Sequence, residues 1–401
     1  MGMDETHDLG RGRYMDLNGY RSPCDIFCAH LEKVKENCRK YGLKPMVWSD
    51  MFFKMANKAQ AYYDREDKIP ENIKNLMPKD IQLVYWDYYH EDREFYVEWI
   101  KRHRELGFNP VMASGIWTWG ALWYDSLQTE KTVLPCLDAC VESGVNEVFF
   151  TMWGDDGAYC DIDSGLAGIC LAAERIYSGG KPREETMKKR FKSLCGGNYD
   201  AHMKASEIAR LPISSSGNTD DCEINGAMVL WDDPLLGIYW KFLESRDSSI
   251  WIKALKKYSE TGKALSAYDA EGAGDISHAR LIAGVLEKKI HLNIKLYRAY
   301  TSRNKKEMEK VRELIPCLIE CIDGLLCSFR KNWYSRNKPF GFEVIQIRFA
   351  GQKERLKELH VRLNEYITGQ IDSIPELEEK ASSAASLYST YSSLATGSYF
   401  I

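Results

Sequence analysis

Acidic residues and tryptophans recur together where short apolar runs end: Trp48-Ser49-Asp50, Trp86-Asp87, Trp117-Thr118-Trp119 and Trp153-Gly154-Asp155-Asp156. Asp4-Glu5, at the head of the sequence, adds an acidic pair. A carboxylate beside an indole suits carbohydrate. The C–H face of a sugar ring stacks on the indole, and its hydroxyls donate hydrogen bonds to the acid. Cleaving a glycoside needs an acid to protonate the leaving oxygen and a group on the opposite side to stabilise the anomeric carbon. Asp4-Glu5 contributes both parts only if its two members have different tasks. Singly, an Asp-Glu dipeptide reads as solvated surface charge and a strand-end Trp as packing, so the agreement of several ends carries the reading.

The elements that position these residues show in the same stretch. Pro45 to Trp48, Ile81 to Trp86, Pro110 to Gly115 and Val148 to Trp153 are β-branched and aromatic runs of strand length. Between them the spacing predicts helices over Ile26 to Tyr41, Phe95 to Leu106 and Val133 to Val141, closed by Gly42, Gly107 and the Ser143-Gly144 turn. Strands alternating with helices predict βαβ units and a parallel sheet. The carboxyl ends of such strands gather at one face, where α/β folds place their sites. Beyond about residue 165 the pattern turns helical, with stripes at Leu286, Ile290, Ile294 and Tyr297 and at Leu356, Leu359, Leu363 and Tyr366. Leu211 to Gly226, rich in Ser, Asn, Asp and Gly, reads as an exposed loop.

At 401 residues, 44% hydrophobic and 28% charged, the chain has material for one large fold or two units, and disorder is excluded. A formal charge of −4 gives no basic excess for a nucleic-acid backbone. No apolar run reaches the roughly 18 residues of a membrane span, and the start, MGMDETHDLGRGRY, does not read as a signal peptide. The 12 cysteines form no paired framework, which points to a reducing cytoplasm. Cys24 and Cys28 have no second cluster in register, so they read as buried thiols and no metal or cofactor is expected.

GMDETHDLGRGRY, PMVWSDMFF, VYWDYY, GIWTWG and FFTMWGDDG, in this order, resemble the family-20 glycoside hydrolases. The closer likeness is to their bacterial branch of exo-β-N-acetylhexosaminidases with a helical C-terminal domain, which LWDDPLLGIYW (Leu230 to Trp240) and NKPFGFEVIQIRFAG (Asn337 to Gly351) also resemble. The resemblance implies a (β/α)8 TIM-type barrel with the acidic pair at the end of strand four. Glu5 then matches the general acid/base. Asp4 matches the partner that orients the 2-acetamido group, whose carbonyl oxygen attacks the anomeric carbon to give an oxazolinium intermediate. Trp153 and Asp155 match the last-strand residues that bound the sugar pocket, and Trp48 a pocket wall. Asp50, Tyr85, Asp87, Trp117 and Trp119 fall at barrel-mouth positions. Tyr85 and Tyr124 are candidates for the tyrosine that meets the acetamido carbonyl, and His7 lies in the matching segment. The implied substrate is an oligosaccharide or glycoconjugate ending in β-linked N-acetylhexosamine.

The family's fourth-strand motif here begins at residue 2. A whole barrel takes about 250 residues, so the first 165 hold roughly five βα units, strands four to eight. The expectation is therefore a partial barrel over 1–165 and a helical domain over 166–401, an N-terminally truncated chain lacking the first-strand arginine and of weak or no activity. A noncatalytic glycan-binding remnant is the alternative. The helical region is large enough to support a homodimer.

Overall fold

The computed structural model describes residues 1–57, 62–65, 69–154, 158–212, 225–268 and 276–380. It divides into two compact units. The first comprises Met1–Ile116, Leu127–Thr151 and Arg175–Gly180; the second comprises Trp117–Ser126, Met152–Glu174 and Lys181–Ile401.

The first unit is built on a parallel sheet of β1 (Met46–Trp48), β2 (Gln82–Trp86), β3 (Val111–Gly115) and β4 (Val148–Thr151), in that spatial order. Helices α1 (Arg13–Asn18) and α2 (Pro23–Lys40) precede it. Helices α3 (Asp50–Ala56), α4 (Glu71–Leu76), α5 (Arg93–Glu105) and α6 (Ser126–Ser143) lie between the strands in the chain. The register sets Trp48 beside Val84, Trp86 beside Ala113 and Ala113 beside Phe149. Strand alternation puts those side chains on one face and Val47, Leu83, Tyr85 and Met112 on the other. This second face is buried against the helices. Val47 and Leu83 meet Phe27 and Leu31 of α2 and Phe52 of α3. Tyr85 and Met112 meet Tyr96, Trp99 and Ile100 of α5 and Cys136 of α6. On the first face the rings of Trp48 and Phe149 lie 5.8 Å apart, although two strands separate β1 from β4. With strands about 4.8 Å apart, that proximity requires the sheet to roll toward this face.

Four strands are present among the described residues where about five were expected. Residues 1–6 form no strand. They run beside the open edge of β1 nonetheless: the Met1 ammonium donates to the Met46 carbonyl at 2.8 Å and the Glu5 N–H to Asp50 Oδ2 at 3.3 Å, the two pairs sharing an offset of 45 residues. Positive φ at Gly2 (68°), Met3 (70°) and Glu5 (48°) breaks the extended backbone that a ladder needs.

The second unit is helical. Helices α7 (Leu166–Ser178), α8 (Glu184–Cys195), α9 (Tyr199–Ala205), α10 (Gly226–Trp231) and α11 (Ile238–Arg246) lead to the long α12 (Ile250–Ser266), α13 (Ile276–Thr301), α14 (Lys305–Arg336) and α15 (Phe342–Thr368), then α16 (Pro375–Glu378). The buried residues of α14, Met308, Val311, Ile315, Leu318, Ile322, Leu325 and Phe329, alternate three and four apart, the seam of a helix packed lengthwise on neighbours. The LWDDPLLGIYW segment is held by its acids. Asp232 accepts from the N–H groups of Ile238 and Trp240 at 2.9 Å each, and Asp233 accepts from those of Leu235 and Leu236 and from Arg355. Gly237 sits at φ 56° with the Tyr297 hydroxyl packed where a Cβ would stand, and the left-handed backbone favours glycine. The Leu211–Gly226 loop lies mostly outside the described residues.

Candidate active site

In the first unit the acidic pair stands at the carboxyl end of β1, on its outer edge. Glu5 is exposed and Asp4 half-buried. The Glu5 main chain is anchored by Asp50, the first residue of α3, which is fully buried. The other Asp50 oxygen accepts from the Trp86 indole N–H at 3.0 Å. One carboxylate therefore ties the acid-bearing segment to the last residue of β2. Burial pushes Asp50 up to about 6; the Trp86 and Glu5 hydrogen bonds oppose the shift and the charge of Asp4 adds to it.

A second set of contacts reaches the Glu5 side chain. The Tyr62 hydroxyl lies 3.4 Å from Glu5 Oε1 and 3.3 Å from His7 Nε2, while Lys54 Nζ contacts His7 Nδ1. An ammonium only donates, so Nδ1 accepts, Nε2 carries the hydrogen and donates to Tyr62, and Tyr62 donates to Glu5. Burial, then the charges of Glu5 and Asp50, push the Tyr62 hydroxyl up, which keeps it a donor. Lys54 also lies over the Tyr62 ring, and that ring is 5.6 Å from Trp86.

The end of β1 is fixed from beneath by His103 of α5. Its Nδ1–H donates to the Trp99 carbonyl at 2.7 Å, so Nε2 accepts from the Ser49 hydroxyl at 2.9 Å. Complete burial pulls this imidazole down to about 4, so it is neutral at pH 7.

Three residues expected at the mouth of the sheet have their side chains turned inward. Tyr85 is on the helix-covered face and fully buried, its hydroxyl donating to Asp87 Oδ2 at 3.3 Å. Asp87 is buried too, accepting from the N–H groups of Tyr89 and His90 and from the His90 ring. Asp50 has both oxygens engaged within the protein, as above. These side chains, expected at the mouth, pack inside the first unit, and strand alternation is the reason for Tyr85. Trp48 stays on the open, inner face and half-buried. Trp86 and His7, noted in the sequence without an assigned contact, join the site, as do Tyr62 and Lys54, which were not singled out. Lys54 follows Asp50 by four residues and so shares its helix face; nothing in the sequence points to Tyr62.

In the second unit Trp117 and Trp119 stack at 4.2 Å, 24° from parallel, and both are partly exposed. Thr118 donates to the carbonyl of the exposed Trp153 at 2.9 Å. Tyr124 is buried. Asp155 lies outside the described residues.

Residues 200–393 match the family model described as the Glycoside Hydrolase 20C C-terminal domain. The match supports a relationship to glycoside hydrolase family 20. It spans a little under half of the chain and lies wholly in the second unit. It includes the Asp232–Asp233 segment. No curated protein matches the chain.

Proposed function

We propose that this protein is an exo-acting β-N-acetylhexosaminidase of the bacterial family-20 branch, cleaving terminal β-linked GlcNAc or GalNAc with retention of configuration. The observation that carries the reading is the acidic pair at a parallel-strand end, its Glu5 side chain open to solvent and its main chain anchored, in a chain whose C-terminal part matches a family-20 domain. Asp4 orients the 2-acetamido group. Its carbonyl oxygen attacks the anomeric carbon as the glycosidic bond breaks, and Glu5 gives its proton to the leaving oxygen. Water then attacks the same carbon, Glu5 takes the water's proton, and the ring of the intermediate reopens. The acetamido group is already attached to the reacting sugar, which avoids the entropy of bringing in a nucleophile. Trp48 is assigned as a pocket wall, and Trp117, Trp119, Trp153 and Asp155 as sugar contacts.

In this reading β1 to β4 are strands five to eight of a (β/α)8 barrel, a role that the roll of the sheet favours. Residues 1–165 form the catalytic part and 166–401 the helical domain. No disulfide joins the described cysteines, which favours a cytoplasmic location. A homodimer goes with the reading and is tested by light scattering. The mechanism is tested by proton NMR of the first-formed sugar. The β-anomer, together with inhibition by a thiazoline analogue of the cyclic intermediate, is expected; an α-anomer first, or indifference to the thiazoline, refutes it.

A further inference from the structure

Asp50 is a buried carboxylate in the first unit to which the proposed reaction assigns no step. A buried acid carries a desolvation cost, yet here both oxygens are engaged, by groups from two different elements. Oδ2 takes the main-chain N–H of Glu5, and Oδ1 takes the indole N–H of Trp86. Glu5 itself sits in the left-handed region at φ 48°, a conformation that a non-glycine residue keeps only when its surroundings hold it.

We propose that Asp50 is a positioning residue: its ionised carboxylate bridges the Glu5 main chain to Trp86, and protonation opens the bridge. The part that concerns catalysis rests on Glu5 being the acid/base. Asp4 faces Asp50 from residues 1–6, Tyr62 and Tyr63 from the segment after α3, and Trp86 from β2. Lys54 shares its helix but spends its ammonium on His7. With Asp50 raised to about 6, both acceptors are present above that pH. Below it a proton occupies one oxygen, and one of the two donors loses its partner.

The test uses the full chain, with Asp50→Asn and Asp50→Ala. The Trp86 indole N–H resonance, assigned by its loss in Trp86→Phe, is followed from pH 5 to 8. In the parent it moves with a midpoint near 6, and in Asp50→Asn it is displaced and no longer titrates. On an aryl β-N-acetylglucosaminide, Asp50→Asn lowers kcat by about ten- to a hundredfold, the range expected of a misplaced acid. KM changes little, and the loss of activity below pH 6 disappears. A structural role alone predicts a lower melting temperature with the pH profile kept. An indole that does not titrate overturns the bridge, and an Asp50→Asn variant with the parent's kcat and profile overturns the positioning role. A parent without turnover refutes the glycosidase reading, while the indole titration still decides the bridge.

Discussion

Among the described residues Glu5 receives a side-chain hydrogen bond at Oε1, from Tyr62, and Oε2 is assigned the proton in the proposed acid step. Tyr62→Phe removes that donor and keeps the ring over which Lys54 lies. A hydrogen bond to a charged group contributes about 1.5 kcal/mol or more, so kcat is expected to fall by roughly tenfold with KM little changed. Steady-state kinetics check this, and an unchanged kcat removes Tyr62 from the site. Trp48 and Trp86 stood out by type and spacing at strand ends, whereas Asp4 and Glu5 stood out only through the family resemblance. The direction of a side chain was not readable. Tyr85 and Asp87 look like mouth residues beside Trp86, but one-residue alternation sends Tyr85 to the helix face, and a hydrogen-bonded turn to Tyr89 and His90 folds Asp87 inward.

The central strands β2 and β3 were readable because they are buried on both faces, which leaves apolar runs with few polar interruptions. Their observed limits differ from the expected ones by a residue or two. Helix α6 starts seven residues earlier than expected and runs through Pro135, whose missing N–H removes one ladder bond without ending the helix. Between α5 and β1, the buried His103 makes stability depend on pH. Its folded value is depressed to about 4 from an ordinary 6.5, so the folded state binds fewer protons than the unfolded chain. Its contribution is full above about pH 6.5 and is lost as pH falls toward 4. At roughly 1.4 kcal/mol per unit, that loss is about 3 kcal/mol. Asp50 has the opposite sign: it is raised to about 6, so protonating it stabilises the fold as pH falls through that value. His103→Gln is therefore expected to melt below the parent at pH 7.5, with the deficit shrinking as pH falls through the 6.5-to-4 window. Calorimetry checks it, and a deficit constant with pH contradicts it.

For the chain taken entire, two unlike units carry different parts of the account. The helical unit rests on an apolar seam and on buried polar groups, Lys289 among them. Lys289 donates to the Leu230 and Asp232 carbonyls and to Gln352, and Gln352 donates to the Trp231 carbonyl. Lys289→Met leaves those acceptors without a donor and Asp232 without its nearby charge. It is expected to cost about 3–5 kcal/mol, read as a lower denaturant midpoint; a midpoint within error of the parent's contradicts it. That such a lysine lies inside a helix otherwise marked by apolar spacing was not visible in the sequence, because its partners come from α10 and α15. The long helices were visible as stripes, as was the change from strands to helices near residue 165. The central claim concerns the first unit. Hydrolysis of a chromogenic β-N-acetylglucosaminide by the full chain is the most direct measurement, compared with Glu5→Gln at equal concentration and with folding checked by circular dichroism. The account predicts turnover by the parent, even if slow, that falls to background in Glu5→Gln; equal turnover by the two proteins would contradict it.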